Sequence, residues 1–117
     1  MFSDPDVVHV HELNFDAEVR QSKLPVFLDA STEWCPPCRV AAPVVVELAR
    51  RYRGRLKVVA LDGDESPTLA AELGIRGFPT FIGIVGGQVI SRRAGFAGKR
   101  NLEGLAEEIA SSPPPSR

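Results

Sequence analysis

Trp34-Cys35-Pro36-Pro37-Cys38 follows the apolar segment Val26-Phe27-Leu28-Asp29-Ala30 and holds both cysteines of this 117-residue chain. Thiols two residues apart can close on each other, and a Cys-x-x-Cys that opens a helix behind a strand reads as a dithiol/disulfide redox couple. The loop such a bond closes is too short to restrain the unfolded chain much, so the pair is there for chemistry rather than for stability. Upstream, Val26-Phe27-Leu28 lacks polar alternation and predicts a central strand buried on both faces. Downstream, Val40, Val44, Leu48 and Tyr52 recur every fourth residue beside Ala41, Val45 and Ala49, which predicts one apolar helix face ending near Gly54. Pro43 should kink that helix, because it removes an amide donor and crowds the turn before it.

Further out, Val7-Val8-His9-Val10 has the composition of a short strand, and Asn14-Phe15-Asp16-Ala17-Glu18 predicts a helix capped by Asn14. Leu56-Lys57-Val58-Val59-Ala60-Leu61 predicts another strand, and Ser66-Pro67 predicts a short helix with a serine cap and Gly74 as its stop. Phe78 to Val85 and Gln88 to Arg92, joined by Gly86-Gly87, read as a β-hairpin. Leu102, Leu105, Ala106 and Ile109 give the last helix one apolar face. The order β-α-β-α-β-α-β-β-α calls for an α/β fold: parallel pairing through the crossovers, antiparallel pairing in the hairpin, and helices on both faces of a mixed sheet.

The chain is long enough for one domain with its own core. Its 14 basic and 15 acidic residues leave a formal net charge of −1, which provides no electrostatic footprint for nucleic acid or an anionic membrane. The acidic N-terminus, Met1-Phe2-Ser3-Asp4-Pro5-Asp6, lacks the basic and apolar regions of a secretory signal, and the apolar runs are too short to span a bilayer. A cytoplasmic protein is expected. Residues 1–110 read as the domain and residues 111–117, Ser-Ser-Pro-Pro-Pro-Ser-Arg, as a flexible tail.

Taken together, these residues resemble the thioredoxin family over residues 7–110. The resemblance is carried by Asp29 six positions before Cys35, by Trp34-Cys35-x-Pro37-Cys38, and by Pro43 and Asp64. It continues in Gly74-Ile75-Arg76-Gly77-Phe78-Pro79-Thr80, Gly87 and Gly95. It implies the thioredoxin fold, a mixed five-stranded sheet of order 1-3-2-4-5 flanked by four helices, and a cis Phe78-Pro79 peptide bond that brings its loop against the cysteines.

The implied chemistry is reduction of protein disulfides. Cys35, at a helix N-terminus where free amides and the helix dipole favour negative charge, is the expected nucleophile. Cys38, one turn inward and more shielded, is the expected resolving thiol. Asp29, an acid on a buried strand, must be paired or shifted upward in pKa, and by resemblance it lies behind Cys38 and assists its deprotonation. The family carries a lysine near this acid on the adjacent strand; Ala60 stands at the aligned position here. Trp34, Phe78 and Pro79 are expected to form an apolar rim for an extended substrate, and Gly95 matches a position where bare backbone admits the partner protein. Pro36 replaces the usual glycine, so Pro36 and Pro37 both lack an amide near the Cys35 sulfur and are expected to tune the couple. The couple itself should be a reductant, nearer about −270 mV than the roughly −120 mV of strongly oxidising relatives.

No bound cofactor is expected, because the electrons reside on the Cys35-Cys38 pair, and the implied partners are disulfide-containing proteins and a thioredoxin reductase, acting on a monomer. His9 and His11 would share a face of the first strand, a spacing compatible with metal but more common as solvated side chains, so no metal site is assigned. Two other classes compete with the enzyme. One is a binding module on the same fold with a specialised or vestigial redox site; the other is a metal centre that pairs Cys35 and Cys38 with a second chain.

Overall fold

Strand β2 (Val26–Ser31) is buried at all six positions and forms the middle of the sheet, as its unbroken apolar run requires. The computed structural model describes residues 2–113. Around β2 lie β1 (Val7–Val10), β3 (Lys57–Asp62), β4 (Thr80–Val85) and β5 (Gln88–Ala94), in the order β1-β3-β2-β4-β5. The β1–β3 and β2–β3 pairs are parallel, and the β2–β4 and β4–β5 pairs antiparallel. The four helices are α1 (Asp16–Arg20), α2 (Pro36–Arg51), α3 (Pro67–Glu72) and α4 (Lys99–Ala110).

Side chains alternate along β2, and the alternation divides the core. Phe27 joins Ala41, Val45 and Leu48 of α2 with Leu102, Leu105 and Ile109 of α4. Leu28 and Ala30 pack on the other face with Phe15, Val19, Leu69 and Ala70. Asp29 belongs to the Phe27 face and is opposed in register by Ala60 on β3 and Phe81 on β4, both of that same cluster. The chain thereby places a carboxyl inside the apolar layer beneath α2.

Local details differ from the sequence expectations for identifiable reasons. The first helix is a single wide turn, closed by the Gln21 amide donating to the Asp16 carbonyl at 3.0 Å. Asn14 does not cap it: Oδ1 accepts from the His11 amide at 2.8 Å and Nδ2 donates to the His9 carbonyl at 2.9 Å, which turns the chain after β1. His11 consequently lies beyond the strand and does not share a face of it with His9. Ser66 occupies the cap position of α3, yet its hydroxyl is buried without a hydrogen-bond partner. Helix α2 runs through Pro43 without ending. Gly86 and Gly87 turn the hairpin with φ of 59° and 80°, conformations that favour glycine. Of the expected tail, the Ser112 hydroxyl donates to the Glu108 carbonyl at 2.8 Å, and residues 114–117 lie outside the described residues.

Candidate active site

The crossover from β2 to α2 builds the site. Cys35 is the residue that caps α2, with extended backbone (φ −94°, ψ 109°), and Pro36 and Pro37 fill the first helical positions. Proline is tolerated there because those amides have no helical acceptor. The consequence for sulfur chemistry is direct: of the first three helical residues, only Cys38 has an amide, and it donates to Sγ of Cys35 at 3.3 Å. Cys35 and Cys38 form a disulfide with their Cα atoms 5.3 Å apart.

Burial of the two cysteines departs from expectation. Cys35 is 3% exposed and Cys38 5%, so the expected nucleophile is as enclosed as its partner in the disulfide form. The enclosure comes from the loop before β4. Its Phe78-Pro79 peptide bond is cis, and the Phe78 carbonyl oxygen lies 3.5 Å from Sγ of Cys35. The Phe78 ring rests over Gly63, where any Cβ would collide with it. Pro79 is buried, and its carbonyl accepts from the amide of Gly95 at 2.8 Å. Gly95 has a φ of 78°, which a side chain would strain. Phe78, Pro79 and Gly95 line one cleft together with Gly74, Arg76 and Arg92.

Trp34 stands apart from this enclosure. It is 64% exposed, and its indole N–H donates to Oδ2 of Asp64 at 2.7 Å. The ring is thus held at its polar edge while its apolar faces stay exposed. Asp64, expected to matter on the resemblance alone, is the residue that holds the Trp34 indole.

Asp29 is fully buried, and that burial pushes its carboxyl up to about 7, with the Ser31 hydroxyl opposing the rise. The Ser31 hydroxyl donates to Oδ1 at 2.5 Å, while Oδ2 has no hydrogen-bond partner. Ala60 opposite explains the absence of a compensating cation. A carboxyl titrating near neutrality can hold or accept a proton under working conditions. Ser31 and Gly63 were missed by sequence reasoning. Ser31 could have been found, because it sits two residues from Asp29 on the same strand and so shares its face. Gly63 had no local signal; only the packing of Phe78 reveals its part.

Among the described residues no cluster of three or more His, Cys, Asp or Glu is arranged to hold a metal ion, and no helix is long and apolar enough to cross a membrane. The His9 ring lies 2.6 Å from the Phe2 carbonyl through Nε2, and Nδ1 of His11 accepts from the Leu13 amide at 3.2 Å.

Known proteins with this pattern place the site in context. The family described as Thioredoxin matches residues 6–111. A thioredoxin of Synechocystis sp. is 40% identical over 99 residues, covering 85% of this chain and 92% of the relative. A thioredoxin of Haemophilus influenzae is 35% identical over 97 residues, covering 83% and 91%. A chloroplastic M-type thioredoxin of Chlamydomonas reinhardtii is 46% identical over 79 residues, covering 68% of this chain and 56% of the relative. With a matching sheet order, a helix-capping Cys-x-x-Cys disulfide and these relatives, the chain belongs to the thioredoxin family and is a thiol–disulfide oxidoreductase.

Proposed function

We propose that the chain reduces disulfides of protein substrates in the cytoplasm, as a monomer whose domain spans residues 1–110 with residues 111–117 as a tail. The observation that carries the reading is the amide of Cys38 aimed at Sγ of Cys35 at the start of α2, the donor arrangement that stabilises a thiolate. The Cys35 thiolate attacks one sulfur of a substrate disulfide, forming a mixed disulfide and releasing the other sulfur as a thiolate. Cys38 then loses its proton and attacks Cys35, which closes the Cys35-Cys38 disulfide and frees the second substrate sulfur. Two electrons have moved from protein to substrate. A flavin-dependent thioredoxin reductase drawing on NADPH is the proposed source of their replacement.

Trp34, Phe78, Pro79 and Gly95 are the proposed docking residues, and Asp29 the proposed proton acceptor for Cys38. No resident cofactor is required, because the dithiol carries the electrons. The test is an insulin-reduction assay with a small dithiol as electron source. Catalysis of insulin precipitation supports the reading, and its absence in the wild-type chain favours a binding module on the same fold.

Pro36 is proposed to set the potential by what it lacks. Substituting Pro36→Gly adds an amide to the turn that faces the Cys35 sulfur. A hydrogen bond to a charged group contributes about 1.5–3 kcal/mol, and for two electrons about 30 mV corresponds to about 1.4 kcal/mol. Stabilising the thiolate stabilises the reduced form, so the midpoint of Pro36→Gly is expected to move tens of millivolts toward oxidising values. A redox titration with an unmoved midpoint contradicts this role.

A further inference from the structure

A cavity of about 240 Å³ opens behind Cys38, lined by Phe2, Ser31, Thr32, Glu33, Cys38, Arg39 and Ala42. Its volume suffices for several waters at roughly 30 Å³ each. Two of its lining residues, Ser31 and Thr32, carry hydroxyls, and the Thr32 hydroxyl is buried without a hydrogen-bond partner. Asp29 itself is wholly enclosed, whereas Ser31, only 3% exposed, both lines the cavity and donates to Oδ1 of Asp29 at 2.5 Å. Ser31 is therefore the residue that links the buried acid to the Cys38 cavity.

The geometry points to Ser31 as the positioning residue that couples Asp29 to Cys38, by relaying the resolving thiol's proton from the cavity to the carboxylate. The inference rests on Asp29 being the proton acceptor in the proposed function. In the resolving step the Cys38 S–H bond breaks and the Cys38–Cys35 bond forms. The bond from Cys35 to the substrate sulfur breaks, and its electron pair leaves with the substrate thiolate, which takes a proton from solvent. The Cys38 proton passes through cavity water to the Ser31 oxygen, while Ser31 gives its own proton to Oδ1 of Asp29. Ser31 is unchanged at the end, and Asp29 is neutral until solvent deprotonates it.

Burial raises the titration of the acid, and the Ser31 hydroxyl opposes that rise. Facing it are Ala60 of β3 and Phe81 of β4. Helix α4 packs Leu102, Leu105 and Ile109 into this layer, while its Lys99 and Glu103 are ion-paired to Glu47 and Arg51 of α2. Asp62, opposite Ser31 on β3, accepts from the amides of Asp64 and Glu65. At the cavity mouth, Arg39 donates to the Glu33 carbonyl at 2.7 Å.

The test uses Cys35→Ser protein, in which Cys38 is the sole thiol, and follows its alkylation by iodoacetamide against pH. Asp29→Asn, Ser31→Ala and Ser31→Thr are each added to that background. An inflection from Asp29 is expected in the parent curve and is lost in Asp29→Asn. Ser31→Ala, which removes the donor to the carboxylate, is expected to move the inflection upward by about one pH unit, and Ser31→Thr, which keeps a hydroxyl, to leave it in place. If Ser31→Ala does not fold, Ser31→Gly gives the same readings. Loss of the inflection in Asp29→Asn together with an unmoved curve in the Ser31 variant overturns the relay and leaves Asp29 as acceptor. An unchanged curve in Asp29→Asn removes the acceptor, and the relay with it.

Discussion

Cys35→Ser is expected to lower disulfide-reducing turnover by about a thousandfold or more, the scale on which a covalent nucleophile is lost. A serine hydroxyl at this helix start stays protonated under conditions where a thiol gives a thiolate, and it cannot form the mixed disulfide at all. The structure makes the loss specific to position 35, since that sulfur accepts the Cys38 amide and lies 3.5 Å from the Phe78 carbonyl. Cys38→Ser is expected to fail differently: it leaves the attacking thiol in place but removes the one that resolves. In that variant the substrate should accumulate as a dithiothreitol-sensitive covalent adduct, visible by non-reducing electrophoresis. Turnover retained by Cys35→Ser, or adducts formed equally by both variants, contradicts the assignment of roles.

The second large effect concerns stability. Asp29 has a folded-state pKa of about 7 against an ordinary value of 3.8, raised by burial. Between those values the unfolded chain has lost the proton while the folded chain keeps it, so folding stability declines as pH rises across the window and levels off above it. At about 1.4 kcal/mol per unit, Asp29 alone is expected to remove about 4 kcal/mol between about pH 4 and about pH 8. Asp29→Asn, which cannot ionise, should lose this decline and be the more stable protein at the alkaline end. Urea unfolding of both proteins at several pH values measures it. Parallel stability profiles for wild type and Asp29→Asn contradict a buried, neutral-leaning carboxyl at this position.

Much of this was legible in the chain, because the deciding signals are local. The unbroken run of β2, the four-residue recurrence in α2 and the Gly86-Gly87 turn each state their element through spacing alone. What escaped depends on contacts distant in sequence. Asn14 has the chemistry of a cap, but its side chain is taken by His9 and His11, and the helix that it was expected to start contracts to one turn. The cis bond at Pro79 followed only from resemblance, since most X–Pro bonds are trans and no neighbouring residue signals the exception. The equal burial of Cys35 and Cys38 arises from a loop more than forty residues downstream folding over the disulfide. Ser31 lay within reach of the period-two rule, and Ala60 opposite Asp29 already marked the acid as lacking a cation.

These features converge on a dithiol that donates electrons. The measurement that addresses this most directly is the midpoint potential of the Cys35-Cys38 couple in graded dithiothreitol buffers, followed through Trp34, the single tryptophan and the neighbour of Cys35. A reductase gives one two-electron transition near about −270 mV, the thioredoxin value. A midpoint near about −120 mV, or no transition in the accessible range, contradicts a protein-disulfide reductase.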